Sequence, residues 1–218
     1  MGESTAPRYG QVDRDYGMKL ATTEPDDDGP VWMVNLMKYR EKADYADGRA
    51  SDISGREADD LYMPQAVGVA IGAFSEHPAV GVVYGDCHCI DARSRLTHTY
   101  LLPDYDLGES VVDNCISQPA TFLRRKAVQR VDGVDESLHC VMDFDLWIRL
   151  GLMSEFHHVP ICLACFREHG EAKSSRPWRF VPEIELLYER LFERADLPPA
   201  LAGRKREALF RTLASYAA

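Results

Sequence analysis

The chain has 218 residues, 45% of them hydrophobic and 28% charged, a balance that supplies a buried core and excludes a disordered or fibrous protein. Its 25 basic residues against 35 acidic ones give a formal charge of −10, which repels a polyanion and argues against generic nucleic-acid binding. No apolar run reaches the roughly 20 residues that span a bilayer, and Met1-Gly-Glu-Ser-Thr lacks the basic and apolar regions of a signal peptide, so a cytoplasmic protein without a transmembrane segment is expected, its six cysteines reduced.

Residues 1–30 are polar and acidic and read as a flexible lead-in. Val31 to Met37 (VWMVNLM) is apolar and β-branched after turn formers, the pattern of a buried strand. Pro64 opens a helix whose apolar positions are Ala66, Val67, Ala70, Ile71 and Phe74. Two short strands, Val80 to Tyr84 and Cys87 to Ile90, are expected on either side of Gly85-Asp86, with a turn at Asp91 to Arg95 and more extended chain after it. Helices are expected at Glu109 to Cys115 and Arg124 to Arg130, with an extended Pro119 to Leu123 between them. Asp143 to Met153 places Phe144, Trp147, Ile148 and Leu152 on one helical face, and a β-prone Phe156 to Phe166 follows. Ile184, Leu187, Tyr188 and Leu191 mark another helix, and Leu201 to Tyr216 a last one. Strands alternating with helices predict an α/β layer structure.

The residues with most chemical content are carboxylates beside turns: Glu57 with Asp59 and Asp60, Asp86, Asp104 with Asp106, and Asp143 with Asp145. Two acids two residues apart at a strand end can present hard oxygen ligands to a divalent cation, although an acidic loop has the same spacing. Two aspartates opening a helix sit at the positive end of its dipole, which favours the ionised form of a general base; an N-cap role for Asp143 accounts for the same pattern. Cys87-His88-Cys89 and Cys162-Leu-Ala-Cys165 invite a zinc reading, but the second pair lies in a strand-like run that aims the two thiols apart.

From Ala58 to Ser175 the sequence resembles the family 2 glycosyltransferases. The matching strings are Ala58-Asp-Asp-Leu-Tyr-Met-Pro64, His77-Pro-Ala-Val-Gly-Val-Val-Tyr-Gly-Asp86, Gln118-Pro-Ala-Thr-Phe-Leu-Arg-Arg125, Val131-Asp-Gly-Val-Asp-Glu136, Met142-Asp-Phe-Asp-Leu-Trp-Ile-Arg-Leu150 and Phe166-Arg-Glu-His-Gly-Glu-Ala-Lys-Ser174. The resemblance implies a GT-A (nucleotide-diphospho-sugar transferase-like) mixed sheet with flanking helices and inverting transfer of a sugar from a nucleotide sugar to a hydroxyl of a glycan or lipid-linked acceptor. It implies Asp143 as catalytic base, Asp60, Gln118, Asp145, Arg167 and His169 as substrate-binding residues, and Glu57, Asp59 and His169 as ligands of Mn²⁺ or Mg²⁺. Where the family has D-x-D the first acid here is Glu57, and the 56 residues before it do not resemble the family's nucleotide-binding half, so impaired transfer is expected.

Gly29-Pro-Val-Trp-Met-Val-Asn-Leu-Met-Lys-Tyr-Arg40 and Ser54-Gly-Arg-Glu-Ala-Asp-Asp60 instead resemble an uncharacterised family of dimeric α/β-barrel, ferredoxin-like proteins. The two resemblances share the string at 58–64, which implies a chimera: lead-in 1–30, a barrel-like fragment 31–63 acting as a foreign strand and loop, an acceptor-side glycosyltransferase half 64–175, and C-terminal helices 176–218. On this view Glu57 also belongs to the S-G-R-E of the second family. The alternative function is a non-catalytic binding or self-assembly module, a homodimer formed through the edge strand VWMVNLM.

Overall fold

Val80 to Ile90 carries almost no residue suited to solvent, and a strand of that composition is stable only when covered on both faces. In the computed structural model, which describes residues 60–168 and 176–217, this run is the central strand of a five-stranded mixed sheet, buried at every position but His88. The strands are β1 (Asp60–Tyr62), β2 (Val80–Ile90), β3 (Leu96–Tyr100), β4 (Thr121–Leu123) and β5 (Glu155–Arg167). Their order is β1-β5-β2-β3, and β4 pairs with the first half of β2 beside β3. Only β2 and β5 run parallel, and the other three pairings are antiparallel.

The Gly85-Asp86 dipeptide does not break the chain into two strands. β2 continues through it, and the irregularity falls on β5, where the pairing jumps from Gly85↔Val159 to Asp86↔Cys162. Glycine is required for that close approach, because a Cβ at position 85 would lie 2.5 Å from Leu163 Cγ and 2.7 Å from the Ile161 carbonyl oxygen. Gly85→Ala is therefore expected to destabilise the fold by about 2 kcal/mol, the usual scale of overpacking, as read by urea unfolding; an unchanged midpoint would show that the bulge yields freely.

Parallel strands need a crossover, and here it is filled by helices. Helix α1 (Ala66–Glu76) covers one sheet face, where Ala66, Ala70, Ala73 and Phe74 pack with Val83, Cys87 and Leu163. The small residues face the sheet, while Val67 and Ile71, expected inward, are exposed. Alanines let the helix backbone approach the sheet more closely than a β-branched stripe would. Arg124 secures the helix end, donating from Nε to the Val80 carbonyl at 2.7 Å and from a terminal nitrogen to the Phe74 carbonyl at 2.6 Å.

The next helices are α2 (Leu107–Val112), shorter and earlier than its apolar pattern suggests, and α3 (Arg125–Arg130). The stretch expected to be extended from Pro119 begins instead as a 3-10 turn, Gln118–Ala120, before β4. Helix α4 (Met142–Gly151) covers the opposite sheet face, packing Leu146, Trp147 and Leu150 with Val82 and Tyr84. The remaining helices are α5 (Val181–Phe192), α6 (Pro199–Ala202) and α7 (Lys205–Ala217), so the expected last helix is interrupted at Gly203-Arg204. They build a second core against α2 and the outer side of α4 around Phe144, Ile148, Leu187 and Tyr188. Its polar centre is satisfied: the Tyr188 hydroxyl donates to the Val111 carbonyl at 2.6 Å, and Thr212 donates to that of Val112 at 2.7 Å.

The architecture is thus α/β, a mixed sheet with flanking helices. No helix among the described residues is long and apolar enough to cross a membrane. The lead-in 1–30 and the expected strand Val31 to Met37 lie outside the described residues.

Candidate functional site

The direction of α4 fixes which end of the sheet carries its acids. Its last turn leads to Ser154, whose side chain sits against Gly81, and to Glu155, which pairs with Val80 at the amino ends of the two parallel strands. The helix runs back over the sheet for about 15 Å from there, at 1.5 Å per residue, so its first turn lies toward the carboxyl ends of β2 and β5.

Asp143 occupies that first turn, half-buried. The N-cap position is Val141, which offers no side-chain oxygen, and Asp143 Oδ1 accepts from the Phe144 amide at 2.8 Å. Two residues on, and so about 200° around the helix, Asp145 has a different environment. Arg149 Nε donates to Asp145 Oδ2 at 2.7 Å, and the same guanidinium donates to the carbonyls of Val131 and Gly133. Asp145 therefore fixes an arginine that ties the 131–133 turn to α4, at the wall of a cavity of about 460 Å³. That cavity has an apolar floor of Ile148 and Leu187 and is spanned by the 2.8 Å Arg190–Asp135 ion pair; Asp143 is not among its lining residues.

The loop before α4 is held by a contact that sequence reading missed. Glu183 of α5 extends one carboxylate oxygen, Oε2, to three consecutive amides, those of His139, Cys140 and Val141, at 2.9, 2.7 and 3.2 Å. A carboxylate thus supplies at the helix start what Val141 cannot. Glu183→Ala is expected to cost about 2 kcal/mol, the scale of charge-assisted hydrogen bonds, and Glu183→Gln about half of that. A thermal melt unchanged for Glu183→Ala would mean that water replaces the carboxylate at no cost.

The other expected site residues are distributed as follows. Gln118 lies in the 3-10 turn that packs across β1, β2 and β5. Arg167 ends β5 buried, and its terminal nitrogens donate to the Asp91 carbonyl at 2.8 Å and the Ser94 hydroxyl at 3.1 Å, bracing the β2–β3 turn. Asp60 is backbone-paired with Phe166 in the β1–β5 register. Glu57, Asp59 and His169 lie outside the described residues. Their chain neighbours, the start of β1 and the end of β5, are adjacent through that register.

Two further clusters of titratable side chains are built by strand pairing. On the α4 face Asp86 is buried; its Oδ1 accepts from the Leu102 amide at 2.9 Å and lies 3.1 Å from His158 Nε2, while His158 Nδ1 is 3.5 Å from Asp104. The Tyr84 ring stacks on His158, and burial pushes the Tyr84 hydroxyl well above its ordinary pKa. Nearby, His88 Nδ1 is 2.8 Å from Thr99 Oγ1 and 3.4 Å from Cys162 Sγ. Asp86 and Asp104 stood out in the sequence as acids beside turns. His158 carried no such signal, because only the β2–β5 register brings it to them.

On the other face, Cys89, His98 and Glu168 bring their sulfur, nitrogen and oxygen atoms within 4.8 Å of one another. None of the six cysteines is in a disulfide, and burial raises the Cys89 thiol to about 12 and shifts those of Cys162 and Cys165 upward, so these three are neutral thiols at pH 7. Cys162 and Cys165 have different neighbours, His88 for the first and Met63 for the second. The chain matches no known family model and no curated protein.

Proposed function

We propose that the chain is a glycosyltransferase-like protein, the acceptor-side half of a GT-A type domain, which transfers a sugar from a nucleotide sugar to an acceptor hydroxyl with inversion. Asp143 is the general base. The observation that supports this reading is the half-buried Asp143 carboxylate in the first turn of α4. A carboxylate near the positive end of a helix dipole stays ionised, as a base that takes a hydroxyl proton must.

In this reading the sugar's reducing carbon is attacked by the hydroxyl as Asp143 accepts its proton and the nucleoside diphosphate leaves from the opposite face. Glu57, Asp59 and His169 are the candidate ligands for a Mn²⁺ or Mg²⁺ ion that would offset the charge of the diphosphate. Asp145 acts through Arg149 as a positioning residue for the 131–133 turn rather than as a donor ligand. Transfer is slow, because residues 1–56 do not resemble the segment that orients base and ribose in that family, and orientation supplies much of the rate.

The test is product stereochemistry. Incubation of the full chain with UDP-, GDP- and dTDP-sugars, Mn²⁺ and a set of hydroxyl acceptors, followed by proton NMR, is expected to give slow formation of a glycoside with the anomeric configuration opposite to the donor's. A retained configuration, or donor loss that no acceptor accelerates, would overturn the reading.

A further inference from the structure

We propose that Cys89, His98 and Glu168 form a binding site for a borderline-soft divalent cation, zinc in the first instance. Its three residues are not those assigned to the ion of the sugar-transfer reading, and the proposal does not depend on that reading.

Three strands converge on it. Cys89 of β2 is the direct cross-strand partner of His98 on β3 and of Phe166 on β5, so the three share one face of the sheet. Glu168 follows Phe166 by two residues, which returns it to that face, and its amide donates to the Ile90 carbonyl at 2.9 Å, which holds the end of β5 in register. The result is one sulfur, one imidazole nitrogen and one carboxylate oxygen within 4.8 Å of one another. Tetrahedral zinc with Zn–S near 2.3 Å and Zn–N and Zn–O near 2.1 Å needs donor atoms on the order of 3.5 Å apart, a closure within reach of side-chain rotation. Cys89 is fully buried at the base of the cluster, while His98 and Glu168 are exposed at its mouth and free to turn inward, which also leaves an entry path.

Without a metal the cluster is held by neutral contacts: the Cys89 thiol is hydrogen-bonded to the Tyr100 hydroxyl, and the His98 ring meets the Tyr100 ring edge-on at 4.6 Å. His98 Nδ1 and Glu168 Oε2 are 3.9 Å apart, beyond hydrogen-bond distance, and Thr97 Oγ1 sits between them at 3.2 and 3.4 Å. A sulfur–imidazole–carboxylate set selects zinc over magnesium, calcium or manganese, which favour oxygen alone. On binding, the Cys89 S–H bond breaks, its proton passes to solvent, and the sulfur electron pair forms the metal bond. Three protein ligands leave a fourth position for water, the arrangement of an open zinc site.

The test uses the full chain, reduced and freed of metal, titrated with Co²⁺ and followed by absorption. Saturation at one equivalent is expected, with a near-ultraviolet sulfur-to-cobalt charge-transfer band that Zn²⁺ abolishes; a site made only of carboxylates and imidazole cannot give that band. Cys89→Ser should remove it, and His98→Ala and Glu168→Gln should each weaken Co²⁺ binding by at least about a hundredfold, more than loss of an outer-shell partner costs. Cys162→Ser and Cys165→Ser should leave it unchanged. His98 is exposed, so its alanine variant keeps the test decisive if Cys89→Ser fails to fold. Absence of the band at equimolar Co²⁺, or a band that survives His98→Ala at undiminished affinity, would overturn the proposal.

Discussion

Trp147→Ala is expected to destabilise the protein by about 3 to 5 kcal/mol, the range for deleting a buried tryptophan, which is a large share of the total stability of a typical domain. Trp147 is 1% exposed on the sheet-facing side of α4, in a cluster with Val82, Tyr84, Leu123 and Leu150. It joins the helix to the central strand, and two other rings of the same cluster, Tyr105 and Phe156, are already stacked on each other at 3.8 Å. The indole N–H has no hydrogen-bond partner among the described residues, so Trp147→Phe, which removes that orphaned donor, should cost distinctly less than Trp147→Ala. Urea unfolding with an unchanged m-value is the measurement; a loss under about 1 kcal/mol for the alanine variant would mean that α4 is not anchored to the sheet through this residue.

The second large effect concerns activity. Asp143→Asn keeps the shape of the side chain and an oxygen that can still accept from the Phe144 amide, so the fold should be unaffected. On the proposed reading it removes the proton acceptor. Transfer to a hydroxyl should fall by about 10² to 10⁴, the contribution of a positioned general base, while donor affinity stays the same. Asp145→Asn should act differently: it weakens the hold on Arg149 and is read first in stability. Equal loss of donor binding in both variants would show that Asp143 serves structure and not proton transfer.

What the sequence reveals follows from how local each feature is. The inward face of α5 is legible because the 3.6-residue spacing of Ile184, Leu187, Tyr188 and Leu191 is a property of that helix alone, whereas the single face expected for Phe144, Trp147 and Ile148 of α4 is split, Trp147 packing on the sheet with Leu146 and Leu150, and Phe144 and Ile148 in the second core. α1 misleads, because its bulky Val67 and Ile71 face outward while alanines take the closely packed side. Gly85-Asp86 reads as a turn by composition. It lies mid-strand because the glycine admits Leu163 and the aspartate is paid for by His158 and the Leu102 amide.

Asp143 and Asp145 look equivalent in the sequence, and only the position of Arg149 and the 131–133 turn separates them. The clusters at Asp86–His158 and Cys89–His98–Glu168 are illegible for a different reason: each joins residues distant in the chain through strand register, which no local pattern encodes.

The central claim is that this chain carries the acceptor side of a sugar-transfer site with a weak hold on its donor. Calorimetric titration of the full chain with UDP-, GDP- and dTDP-sugars in the presence of Mn²⁺, repeated on Asp59→Ala, tests it most directly. The account predicts a dissociation constant of about 1 mM or weaker for the best donor, some 4 kcal/mol of binding, further weakened by Asp59→Ala. Micromolar binding abolished by that substitution would contradict the claim of a missing donor pocket, and binding indifferent to both Mn²⁺ and Asp59 would contradict the sugar-transfer reading itself.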